Sequence, residues 1–160
     1  MAEPDLGYPS FRLDGRSALV TGASRGIGRA LALGVAHAGA DIALAARSKD
    51  ALEEAAGKVQ ALGRRALVIE LDIADVARLP AAVDRALAAL GRLDILVNNA
   101  GMEQVADSLA VSAVLWDRIP MGRFGRLEDL LGTAVFLCSD AVAYVTGQIL
   151  YVDGGHLASI

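Results

Sequence analysis

Short apolar runs alternate along this chain with longer stretches whose apolar positions recur at helical spacing. Ser17–Thr21 reads as a first strand. Ile27, Leu31, Gly34, Val35 and Ala38 then share one face of a helix, which Gly39 closes as a C-cap glycine. Asp41–Ala46 is a second apolar strand. Leu52, Ala55, Val59 and Leu62 mark the next helix, ended by Gly63. Residues 66–71 form a third strand. Val76, Leu79, Val83, Ala86, Leu87 and Leu90 mark a third helix, ended by Gly91, and residues 93–97 a fourth strand. Continuous apolar strands between amphipathic helices predict an α/β fold, a parallel sheet with helices on both faces.

After Asn98 the rhythm fails. Residues 102–126 show little period, with at most a short helix within 111–119. Order returns with Leu127, Leu130, Leu131, Ala134, Val135 and Cys138, an amphipathic helix. Residues 149–152 read as a last strand, ended by Asp153-Gly154-Gly155. Residues 1–10 are polar and carry Pro4, Gly7 and Pro9, so a flexible extension is expected ahead of a single domain spanning the 160 residues.

Composition narrows the partners. Net charge is −4, with no Lys/Arg block, so nucleic acid is not an expected partner. No apolar run approaches the ~18 residues of a membrane span, and no leader pattern opens the chain. Cys138 is the one cysteine, which fits a reducing, cytoplasmic setting without a disulfide. His37, His156 and Cys138 lack metal-ligand spacing, so no metal is expected. His37 is read as a partner of its helix's C-terminal end, His156 as a tail residue and Cys138 as a buried small hydrophobe.

The chemistry concentrates in Thr21-Gly22-Ala23-Ser24-Arg25-Gly26-Ile27-Gly28, between the first strand and the first helix. Glycines permit a tight turn and close backbone approach, and the helix start offers free N–H groups to a pyrophosphate. Gly22-Ala23-Ser24-Arg25-Gly26 also fits the nucleophile elbow of hydrolases, but that pattern leaves Gly28 and the later motifs unexplained. Three further signatures follow in order. They are Asp72 after the third strand, Asn98-Asn99-Ala100-Gly101 after the fourth, and Tyr144-Val145-Thr146-Gly147-Gln148 leading to Val152-Asp153-Gly154-Gly155. Together they resemble the short-chain dehydrogenase/reductase family over nearly the whole chain from Phe11 on.

The resemblance implies a Rossmann-like, doubly wound parallel sheet, a nicotinamide cofactor and a small-molecule alcohol/carbonyl substrate, and it suggests a homotetramer. Gly22, Ser24, Arg25, Gly26, Ile27 and Gly28 would line the pyrophosphate and adenosine ribose. Asp72, with Ile73 beside it, would meet the adenine. Asn99, Ala100 and Gly101 would run past the ribose nearer the nicotinamide. Read locally, Asp72 is a turn or helix-cap residue, and Asn98 and Asn99 are turn residues at a strand end. Cofactor choice has a physical argument of its own. A carboxylate about 20 residues past the glycines would hydrogen-bond the ribose 2′-OH of NAD. Here the second strand ends Ala45-Ala46-Arg47-Ser48, and Arg47 and Arg25 suit a 2′-phosphate, so NADP(H) is expected over NAD(H).

One departure is large. The family's acid/base pattern is a Tyr followed four residues later by a Lys, with an upstream Ser. The tyrosines here are Tyr8, Tyr144 and Tyr151, followed at that spacing by Arg12, Gln148 and Gly155. The lysines are Lys49 and Lys58. Only residues 102–119 lie where the family has two further strands and two long helices, at about 30 residues per βαβ unit. The expected join lies at about 117–120, where Trp116-Asp117 resembles the start of one absent helix. No catalytic residue is assigned. The 160 residues are expected to be inactive alone, either as an incomplete record of a longer enzyme or as a non-catalytic binding module. Without the absent strands, residues 149–152 must pair elsewhere or hang as an open edge.

Overall fold

The computed structural model describes residues 7–101 and 118–158. Its centre is a four-stranded parallel sheet in the order β3-β2-β1-β4, made of β1 (Ser17–Thr21), β2 (Asp41–Ala46), β3 (Ala66–Glu70) and β4 (Ile95–Val97). Register pairs Leu19 with Ala43 on one side and with Leu96 on the other. Alternate side chains divide the core. Ala18, Val20, Ile42 and Leu44 pack under helices α1 (Gly26–His37) and α2 (Lys49–Ala61). Leu19, Ala43, Ala45 and Ile69 pack under α3 (Leu79–Leu90). The strands are apolar on both faces because helices cover both, as a parallel sheet requires.

The helix stops follow the glycines. Gly39, Gly63 and Gly91 all have positive φ, and Gly91 is itself the left-handed cap of α3. The third helix begins later than its periodicity suggests. Residues 76–78 form a 3-10 turn and α3 proper starts at Leu79, with Pro80 in its first turn, where a missing N–H is harmless. The last helix, α4 (Leu127–Cys138), lies against α1. Gly34 permits that approach, since a Cβ there would sit 2.9 Å from a Leu131 methyl carbon. Phe11 stacks obliquely on Phe136, ring centroids 6.4 Å apart, and ties the N-terminal segment to α4. Residues 7–10 are exposed and irregular.

One sequence expectation needs correction. Residues 149–152 are not a strand. They enter no ladder among the described residues, because the sheet ends at β4 and offers them no neighbour. The helix expected within 111–119 falls mostly outside the described residues, as does Trp116-Asp117, and Arg118 and Ile119 are non-helical. No described helix is long and apolar enough to cross a membrane.

Candidate functional site

The strand order reverses between β1 and β4, so the crossovers leave β1 in opposite directions and open a crevice at the carboxyl ends of these strands. Gly22–Gly28 leaves the end of β1 there, and residues 98–101 leave the end of β4. The two loops are bolted together by Thr21. Its hydroxyl accepts the backbone N–H of Asn99 at 3.0 Å and of Ala100 at 3.1 Å, and donates to the Val97 carbonyl at 3.2 Å. The Asn99 side-chain amide donates to the Thr21 carbonyl at 3.0 Å. One hydroxyl thus satisfies three backbone groups at a sheet end where the ladder has stopped.

The glycines divide by what surrounds them. A Cβ on Gly28 would lie 2.3 Å from the Gly22 carbonyl oxygen and 2.3 Å from Asn99 Nδ2. A Cβ on Gly22 would lie 2.8 Å from the same amide nitrogen. Both are glycine because the second loop rests on the first. Gly26 differs, with φ of +54° and open space where a side chain would stand. Helix α1 starts at this residue with no side-chain cap and no acid in its first turn. Its first N–H groups and positive dipole end therefore face an unoccluded approach, suited to an anion. Ser24 is half-buried beside it, and Arg25 and Ile27 are exposed. Ala23 is buried, its N–H donating to the Ala45 carbonyl and fixing the turn to β2.

Arg47 is exposed just past the end of β2. Among the described residues neither Arg25 nor Arg47 joins an ion pair, whereas Arg12, Arg29, Arg65, Arg92 and Arg123 each meet a carboxylate. Two unneutralised guanidinium groups at this end of the sheet suit a phosphate. Asp72 adopts its local reading. Its Oδ1 accepts the Ala74 N–H at 3.0 Å in an Asx turn, with Ile73 exposed next to it. Gly101 is exposed and closes the described part of the loop after β4.

The structure thus brings Gly22, Ser24, Arg25, Gly26, Ile27, Gly28, Asn99, Ala100 and Gly101 to one pair of loops at the crevice. Arg47 and Asp72 with Ile73 follow the ends of β2 and β3, the neighbouring strands in the sheet. Sequence reasoning did not give Thr21 its role. Its signal was a hydroxyl residue at the last position of the strand entering the glycine turn. The remaining polar candidates stay apart from chemistry. His37 is exposed in the last turn of α1. His156 is half-buried in a 3-10 turn. Cys138 is half-buried against the core, and burial pushes its thiol pKa up. Among the described residues no group of acids, histidines and cysteines is arranged for a metal.

The short chain dehydrogenase family model matches residues 16–145. The 2-dehydro-3-deoxy-D-gluconate 5-dehydrogenase of Escherichia coli (strain K12) is 42% identical over 153 residues, covering 94% of this chain and 55% of that protein, so the chain spans about half the relative's length. The gluconate 5-dehydrogenase of Gluconobacter oxydans (strain 621H) aligns end to end, 27% identical over 263 positions with 100% of both chains covered. A chain of 160 residues spread over that alignment leaves a large internal block of the relative without a counterpart here. Among solved structures, a gluconate 5-dehydrogenase from Burkholderia cenocepacia J2315 in complex with NADP and tartrate superposes with a TM-score of 0.86 at 27% identity, covering 94% of this chain and 98% of that one. With the glycine turn, the Asn99 loop and the strand order all in place, this chain belongs to the short-chain dehydrogenase family.

Proposed function

We propose that these residues form the dinucleotide platform of an oxidoreductase interconverting an alcohol and a carbonyl, with NADP(H) preferred over NAD(H). The observation that carries this reading is the pairing of an uncapped, acid-free helix start at Gly26 with two arginines, Arg25 and Arg47, that join no ion pair among the described residues. Gly22, Ser24, Gly26, Ile27 and Gly28 present backbone N–H groups and the helix dipole to the pyrophosphate. Arg47 and Arg25 meet the 2′-phosphate. Asp72 and Ile73 border the adenine, and Asn99, Ala100 and Gly101 hold the ribose nearer the nicotinamide. The nicotinamide, when bound, donates or accepts the hydride. The names of the three proteins compared above suggest a polyhydroxy acid as substrate, the class that gluconate represents.

A catalytic acid/base pair is not among these residues. Tyr144 and Tyr151 are exposed, and Lys49 and Lys58 sit on α2, paired with Glu53 and Glu54. This favours a second reading for the 160 residues taken alone, a module that binds the dinucleotide without turning it over. Calorimetric titration with NADPH and NADH tests the platform. NADPH binding the tighter by roughly ten- to a hundredfold is expected, from about 1.5–3 kcal/mol for hydrogen bonds to a charged group. Arg47→Ala should erase most of that advantage and leave NADH binding unchanged. Equal affinities, or no binding of either, would refute the proposal. Hydride transfer to a sugar acid by the 160 residues alone would refute the second reading.

A further inference from the structure

Among the described residues β4 pairs with β1 alone and forms one edge of the sheet, and Leu96 is 57% exposed where Leu19, its partner in register, is 3% exposed. A groove of about 570 Å³ runs beside the strand, lined in part by Leu31, Val97, Leu137 and Val142, with Arg16 and Asp94 among them. The β4 edge therefore lies between the exposed Leu96 and a mainly apolar groove. Apolar side chains on a strand added there would be buried on both sides.

The chain carries one described segment of that composition without a place in the sheet. Ile149, Leu150, Tyr151 and Val152 are 75%, 46%, 67% and 40% exposed, and their backbone makes no hydrogen bond to another described residue. Both flanks of the segment are held within its own chain. Upstream, Arg16 donates to the Cys138 carbonyl at 2.9 Å and pairs with Asp140. Downstream, the Met121 N–H donates to the Gly154 carbonyl at 3.1 Å, and Gly155 rests on the Pro120 ring. Among the described residues each copy thus presents, besides the β3 edge with its charged Glu70, a β4 edge that exposes Leu96, and one apolar segment outside the ladder. A two-fold pair that exchanges them leaves neither unmet.

We propose that two copies of this chain associate by laying residues 149–152 of each along the β4 edge of the other. Nothing in this depends on the dinucleotide reading. Light scattering of the 160-residue chain over a concentration series should give a mass rising to twice 16.5 kDa. Leu96→Lys places a charge in the new seam at an exposed position, so it should return the mass to that of the monomer with the circular dichroism unchanged. In a Cys138→Ser background, mixing Leu96→Cys chains with Leu150→Cys chains under oxidation should give the interchain heterodimer, identified by intact mass. A monomer at every concentration would overturn the proposal. So would a dimer that survives Leu96→Lys and forms no such cross-link, or a Leu96→Cys/Leu150→Cys double variant that closes only within one chain.

Discussion

A methyl group at Gly28 has nowhere to go. Two atoms lie 2.3 Å from where it would stand, one of them a backbone carbonyl oxygen. Gly28→Ala should therefore push the Asn99 loop off the glycine turn. We expect a loss of about 1–3 kcal/mol in urea unfolding, together with loss of NADPH binding. Gly26→Ala meets no atom but must hold φ at +54°. Its cost is backbone strain alone, about 1–2 kcal/mol. Under the proposed function the added methyl would stand where the pyrophosphate approaches, so binding should fall further than stability does. If Gly26→Ala binds NADPH as well as the parent chain, that approach is wrongly placed. Thr21→Val keeps the shape and removes the hydroxyl that serves Val97, Asn99 and Ala100. The Asn99 N–H keeps the Val97 carbonyl at 3.1 Å, so the Ala100 N–H is the group that loses its acceptor, at a cost of about 1–3 kcal/mol, read as a lower midpoint in urea at an unchanged slope.

At the scale of elements, α4 depends on an acid that sequence patterning does not single out. Asp129 accepts from the Arg126 N–H at 2.7 Å, closing the helix start, and grips the Arg123 guanidinium with both oxygens. The Arg123 hydrogen bonds are the largest cause holding its carboxyl far below the usual range, and the Arg126 N–H adds to them. A carboxyl with a depressed folded pKa contributes stability that is full above its unfolded value of about 3.9 and is lost as pH falls through the folded value. Asp129→Asn should lower the thermal midpoint at pH 7, and the gap to the parent should narrow progressively as the pH drops below the ordinary carboxylate range. A gap of constant size would mean that Arg123 does not hold the carboxylate. Element types were legible because apolar spacing separates strand from helix for β1 to β4 and α1 to α4. Residues 149–152 show the limit. Their composition says strand, but a strand exists only beside another, and that neighbour is a property of the sheet.

At the scale of the whole molecule, ligand binding should appear as stability. A dinucleotide held at a hundred times its dissociation constant adds about 2.7 kcal/mol. For a domain of this size that raises the thermal midpoint by about 5–10 °C. NADPH should produce the shift at lower concentration than NADH, and Arg47→Ala should bring the two together. The sequence by itself determined the order of strands and helices, the helix-ending glycines, the family and the loops at the cofactor end, because these rest on local spacing, on backbone freedom and on short motifs. Only the tertiary structure decided which glycines are there for packing and which for open approach, that Thr21 locks two loops far apart in sequence, and that Arg25 and Arg47 join no ion pair among the described residues. It also decided that the sheet stops at β4 with residues 149–152 outside it. Each of these depends on which atoms the fold brings within a few ångströms of one another, a relation between distant residues that no local pattern encodes.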